Sequence, residues 1–173
     1  MSKYNVYVEE VSVEAIFNIL GGVEGARKLQ RGELVVVPKV HHINTSLSPH
    51  CPKDWKVVEH QSLREIEWDS TKVELYLDPK QQSGLINGHQ LRKNLKGKRV
   101  LNTTALDYLL KHPELIPEEW KDKSIFFWGT IYSGSDGGLC VRGLHWNGDR
   151  WVRGCGWLDY GFDDLSPAAV LAS

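Results

Sequence analysis

A chain of 173 residues with a formal net charge of −1 is long enough to bury a sizeable core as one domain, with or without a small satellite. Its charges are spread along most of its length, so no global field draws it to nucleic acid, membrane or acidic substrate, and a partner must be inferred locally. The start "MSKYNVYVEE" lacks the basic lead and long apolar run of a secretory signal, and no later stretch is apolar for long enough to cross a bilayer, which predicts a soluble chain without membrane insertion.

Three cysteines, Cys51, Cys140 and Cys155, form no CxxC pair and are odd in number. They suggest neither a disulfide framework nor a four-thiolate zinc site, and a reducing, cytoplasmic setting is the expectation.

In chain order, "YNVYVEEVS" alternates as a strand. Ser12 can then cap a helix that places Val13, Ile16, Phe17 and Leu20 on one face before Gly21 and Gly22 break it. "VEGARKLQ" predicts a second short helix ending at Gly32, and "ELVVVPKV" a short buried strand stopped by Pro38. From His41 to Trp55 the composition is that of a surface loop. "WKVVEH" and "KVELYLD" read as strands, and Asn87-Gly88 as a turn before a short basic helix. Thr104 and Asp107 have capping-box spacing, and Leu106, Leu109 and Leu110 form an apolar stripe that Pro113 ends.

After Lys123 the pattern becomes a β-meander. "SIFFWGTIY", "LCVRGLHW" and "RWVRGCGWL" are three strands joined by "SGSDGG" and "NGD". The fold class expected is α+β. A mixed module over 1–84, a helical connector over 85–123 and a β-rich ligand-binding region over 124–173 are expected, or one compact domain overall.

Residues 124–173 contain no Lys, Glu, Gln or Met, although Lys, Glu and Gln are common earlier. The rings of Phe126, Trp128, Trp146, Trp151, Trp157 and Phe162 read as core. Gly154, Cys155 and Gly156 between them have little strand propensity and little to pack. Rigid aromatic anchors mixed with Tyr, Ser, Gly, Asn and Arg are the composition of an adaptable recognition surface. Randomised adenines in Asn codons would also produce this set of types and could not produce Lys, Glu, Gln, Met or Trp.

The run from "LINGHQLRKNLKGKRVLN" to "SPAAVLAS" resembles a set of proteins from ultra-small bacteria of the candidate phyla radiation, and "IFNILGGVEGARKLQRGELVV" resembles a module found in similar proteins. The frame "IPEEWK…FFWGTIY…W…RW…WLD…PAAVLAS" recurs in that set while the residues between differ, which looks like the variable proteins of diversity-generating retroelements. The resemblance implies a C-type-lectin-like fold as the candidate, and a hypervariable, non-catalytic ligand-binding surface.

Mapped onto this chain, the frame is Trp128, Trp146, Arg150, Trp151, Trp157, Leu158, Asp159, Pro167 and Ala168. The variable, ligand-binding positions implied are Gly143, His145, Gly148, Asp149, Val152, Arg153, Gly154, Cys155, Gly156, Tyr160, Gly161, Asp163, Leu165 and Ser166. The partner expected is a protein or other macromolecule. In one respect the chain departs from the pattern: Ser166-Pro167 looks like a helix N-cap and first residue, where a lectin-like domain favours a closing strand.

Other chemistries are less well supported. His41, His42, His50 and His60, with Cys51, match no zinc spacing, and no cysteine has the context of a nucleophile, so no metal, cofactor or catalytic residue is assigned. Asp159, Asp163 and Asp164 lack calcium-loop spacing, and there is no Walker loop, GxGxxG or GxSxG. The alternative function is nucleic-acid binding, by Arg92, Lys93, Lys96, Lys98 and Arg99 together with the C-terminal aromatics.

Overall fold

The computed structural model describes residues 13–34 and 39–172. The chain divides into two units between Lys39 and Val40. In the first, helices α1 (Val13–Ile19) and α2 (Gly22–Gln30) are joined through Gly21 and Gly22, both at positive φ (86° and 69°), a conformation in which glycine carries no Cβ penalty. Gly32, at φ 74°, closes α2, and the Glu33 N–H returns to the Lys28 carbonyl at 2.8 Å. The first predicted strand, the Ser12 helix cap and residues 35–38 of "ELVVVPKV" lie outside the described residues.

The second unit carries ten strands among its described residues. β1 (His42–Asn44) pairs with β3 (Glu65–Glu67), and β5 (Ile86–Asn87) with β9 (Gly161–Phe162). The main sheet runs β4 (Val73–Tyr76), β10 (Ala168–Leu171), β6 (Ser124–Ser133), β7 (Leu139–Trp146) and β8 (Trp151–Trp157). β2 (Lys56–His60) joins β6 separately. With helices α3 (Pro79–Ser83), α4 (Gly88–Asn94) and α5 (Thr103–Lys111), this is an α+β fold. No helix among the described residues is long and apolar enough to cross a membrane.

β6 is the spine. Its interior from Ile125 to Tyr132 is buried throughout, as expected of a strand covered on both faces and written as a continuous apolar run. On one side of the sheet Ile125, Phe127, Leu144 and Trp151 pack under α5, with Ile43, Trp68 and Trp120. On the other, Phe126, Trp128, Ile131 and Val141 pack with Leu91 and Leu95 of the α4 region, Leu158 and Phe162.

One edge of β6 is shared. Near Phe126 it borders β10, and beyond Gly129 it borders β2. At the changeover the Gly129 N–H donates to Leu101 O (2.9 Å) and its carbonyl accepts from Gln61 N (2.7 Å). A Cβ at Gly129 would lie 2.8 Å from Asn102 Cβ, so this position needs glycine for close approach.

Asn102 is the hub of that junction. Its Oδ1 accepts from Thr104 N and Ala105 N, capping α5, while Nδ2 donates to the carbonyls of Thr45 and Gln61, both at 2.8 Å. Asn102, and not the Thr104/Asp107 pair, therefore starts the helix; a buried amide can cap and tie two other segments at once. The loop expected over His41–Trp55 likewise contains β1, held by Thr45, whose hydroxyl donates to Arg64 O (2.6 Å) and accepts from Leu63 N (2.8 Å).

Two further expectations change. Ser166-Pro167 opens strand β10, not a helix: Pro167 O accepts from Phe126 N at 2.8 Å, and Ala168–Leu171 pairs antiparallel with β4. Ladder pairing on both sides of this buried apolar segment outweighs a local capping preference. The grouping at 1–84 changes too, since β2 and β4 are strands of the sheet that holds the C-terminal meander.

Candidate functional site

β7 and β8 form an uninterrupted antiparallel ladder from Cys140↔Trp157 to Trp146↔Trp151. Directly opposed residues share a face and successive residues alternate. Cys140, Arg142, Leu144 and Trp146 therefore share the α5 side with Trp157, Cys155, Arg153 and Trp151. Gly143, His145, Val152, Gly154 and Gly156 share the opposite side. The fourteen variable positions do not form one patch.

The second side holds the largest group. Gly143, His145 and Gly154 line a cleft of about 180 Å³ with Ser124 and Phe126, bordered by the chain at Cys155, whose side chain belongs to the α5 side. Ser124 pairs with His145, which pairs with Val152, and the Ser124 N–H donates to Leu165 O at 2.8 Å. Ser124, His145 and Val152 thus make a row across the sheet, and the backbone at Leu165 and Ser166 runs beside Ser124. Leu165 is exposed, and His145, Val152 and Ser166 are half-buried.

Two glycines on this side have a packing reason. A Cβ at Gly143 would lie 2.9 Å from Phe126 Cδ1, and one at Gly156 2.7 Å from Phe126 Cε1 and 2.9 Å from Phe162 Cζ. Gly154 differs, because the atoms nearest its would-be Cβ belong to the His145 ring, Nδ1 at 3.0 Å. Gly161 is exposed, with Leu85 Cβ 3.2 Å from its would-be Cβ.

The remaining positions lie apart. Gly148 and Asp149 are exposed in the β7–β8 turn, where Asn147 Oδ1 accepts from Asp149 N and Arg150 N (3.1 and 2.8 Å) and Gly148 has φ 97°. Tyr160 is 69% exposed after β8. Asp163 accepts from the Leu165 N–H and the Ser166 hydroxyl (3.2 and 2.7 Å), while Gln81 Nε2 donates to both Asp163 O and Ser166 O. Asp163 and Ser166 therefore help to hold the approach to β10.

On the α5 side, Arg153 forms an ion pair with Asp107. Cys155 lies opposite Arg142. A hydrogen bond from the Cys140 thiol holds the Cys155 thiol below its ordinary value, against the effect of burial and with help from the Arg142 charge. The same contact, with burial, pushes Cys140 up. All three cysteines are free. Arg142 is 4% exposed, its guanidinium carbon 4.6 Å from the Tyr132 ring centre and 5.9 Å from that of Trp55. A lone arginine in "LCVRGLHW", at a position whose strand neighbours on the same face are Cys and Leu, was the available signal for this caged cation.

The frame residues also divide. Trp128, Trp151, Leu158, Pro167 and Ala168 are buried, but Trp146 and Trp157 are half-buried, and Arg150 and Asp159 are exposed. Trp157 was expected in the core. Instead it meets Trp55 at 5.7 Å between ring centres, the rings tilted by 52°, beside the ring over which Arg142 sits.

A second concavity, about 590 Å³, was not foreseen. It is lined by Glu59, Gln61, His89, Arg92, Lys93, Leu95, Lys96, Val100 and Trp128. Arg92 donates to Glu59 through Nε and Nη2, holding that carboxyl below the usual range with help from Gln61. The rest of the basic segment is partly engaged: Lys98 Nζ sits 4.0 Å from the Tyr76 ring centre, and Arg99 Nη1 donates to Ala172 O. The basic run was legible in sequence, but its convergence with Trp128 across the fold was not.

The histidines are dispersed. His41 bonds the Tyr108 hydroxyl (2.9 Å), His42 pairs with Glu65, and His60 bridges Thr130 and Thr45 O (2.8 and 3.2 Å). Among the described residues no group of three His, Cys, Asp or Glu side chains could hold a metal ion. No family model, curated protein or solved structure matches this chain.

Proposed function

We propose that this chain is a non-catalytic ligand-binding protein, the variable protein of a diversity-generating retroelement, which presents diversified side chains on its C-terminal sheet in a cytoplasmic setting. The carrying observation is the contiguous row Ser124, His145 and Val152 beside the Gly143–Gly154 cleft. His145, Val152 and both glycines of the cleft belong to the variable set, and Trp128, Trp151, Leu158 and Ala168 anchor the frame beneath and around them. A rigid frame under replaceable contacts lets side chains change without the ordering cost of a flexible loop. The closing strand β10 is what a lectin-like domain favours, and it supports that candidate fold.

Gly143 and Gly156 narrow the reading. Their contacts with Phe126 and Phe162 mean that larger residues there require the rings to move, so variation should concentrate at 145, 152, 154 and 165. The nucleic-acid alternative is weakened because Arg92, Lys98 and Arg99 are engaged within the fold.

The flanking DNA tests the proposal. It should contain a near-copy of the segment encoding Gly143 to Ser166, differing at adenines, with a reverse-transcriptase gene close by. Complete flanking sequence with neither feature would overturn the assignment to a retroelement.

A further inference from the structure

The cavity beneath α4 has a lopsided hydrogen-bonding character. Its one carboxylate, Glu59, already accepts from Arg92 and Gln61. Lys93 and Lys96 line it with no ion pair among the described residues, giving three cations against one anion. Trp128 also lines it, 3% exposed, and its indole N–H is buried without an acceptor. Lys93 and Lys96 thus leave this wall with a surplus of donors and positive charge over acceptors, which an anionic acceptor would balance.

We propose that this cavity binds a small phosphate monoester. The dianionic phosphate matches the surplus of two positive charges, and its oxygens supply the acceptors the lysines lack. Leu95, Val100 and the Trp128 ring provide an apolar wall for the rest of the molecule. At about 590 Å³ the space exceeds what phosphate alone would need and falls in the range of small-molecule sites. The site is independent of the diversified surface, so either reading can fail without the other.

Proton–nitrogen correlation spectra of the whole chain follow the indole signals while inorganic phosphate, adenosine monophosphate or adenosine is added. Trp128→Phe assigns the relevant peak; if that variant does not fold, direct indole assignment in the wild-type chain replaces it. Both phosphates should shift the Trp128 signal saturably, and adenosine should not. The Lys93→Glu/Lys96→Glu variant, both positions being exposed, should keep the wild-type spectrum elsewhere and bind at least about tenfold more weakly. The proposal is overturned if neither phosphate gives a saturable shift at low millimolar concentration, if adenosine binds as well as its monophosphate, or if the double variant binds unchanged. Tighter binding of a hydroxyl-ended oligonucleotide than of the monophosphate would also overturn it, in favour of nucleic acid.

Discussion

Replacing Gly156 with Ala puts a methyl group where two phenylalanine rings already sit. The new Cβ would lie 2.7 Å from Phe126 Cε1 and 2.9 Å from Phe162 Cε1 and Cζ. Those rings are 8% and 3% exposed and meet edge to face at 5.0 Å, so neither has solvent to move into. Overpacking of this kind costs about 1–3 kcal/mol. The ordinary gain from removing a glycine inside a strand is about 0.5–1 kcal/mol, which leaves a net loss of up to about 2.5 kcal/mol. At Gly154 the obstacle is the ring of half-buried His145, beside an open cleft, so most of the strand gain should survive. The two alanine variants should therefore separate by about 1–3 kcal/mol in urea denaturation at unchanged slope, or by about 2–4 °C of Tm per kcal/mol. Equal stabilities would refute the division between a ring-packed floor and a replaceable contact.

Trp151→Ala should cost about 3–5 kcal/mol, whereas the Asp149→Ala/Tyr160→Ala double variant should stay within about 0.5 kcal/mol per site, since one removes a buried ring and the other only exposed side chains; thermal melts decide, and similar losses would contradict the frame. Glu59 is depressed by Arg92, so its contribution is complete above the ordinary carboxylate range and is lost as pH falls through the folded value. The stability difference between wild type and Glu59→Gln should accordingly be greatest near neutrality and close in acid; a difference constant with pH would exclude this linkage. Cys140→Ala removes the thiol that donates to Cys155, so the pH profile of Cys155 alkylation, followed by peptide mass analysis, should move to higher pH; an unmoved profile would show that the contact does not set thiolate formation.

The meander was legible because its signals are local: long β-rich runs, glycine-rich turns and the Asn-Gly hairpin. The α5 stripe was legible through the positions of Leu106 and Leu109. Of the candidate surface, sequence reading found the residue types but not their sides. Arg153 and Gly154 are neighbours in the chain and lie on opposite faces, one paired with Asp107 and the other against His145. The second cavity was hidden because residues from 59 to 128 build it, and no spacing rule joins a basic helix to a tryptophan on another strand.

By itself, the order of residues determined the α+β class, most strand positions after Lys56, the breaks at Gly21, Gly22 and Gly32, and the aromatic framework of the last third. These follow from side-chain period and backbone preference, which act within a few residues. Only the tertiary structure decided that Ser166-Pro167 opens a strand, that Asn102 caps α5, and that Gly156 is a floor for two rings. It also decided which cations line the cavity beneath α4. Each depends on a group brought from a distant part of the chain, a ladder partner, a buried carbonyl or an aromatic ring, whose interaction outweighs the local preference of the residue it meets.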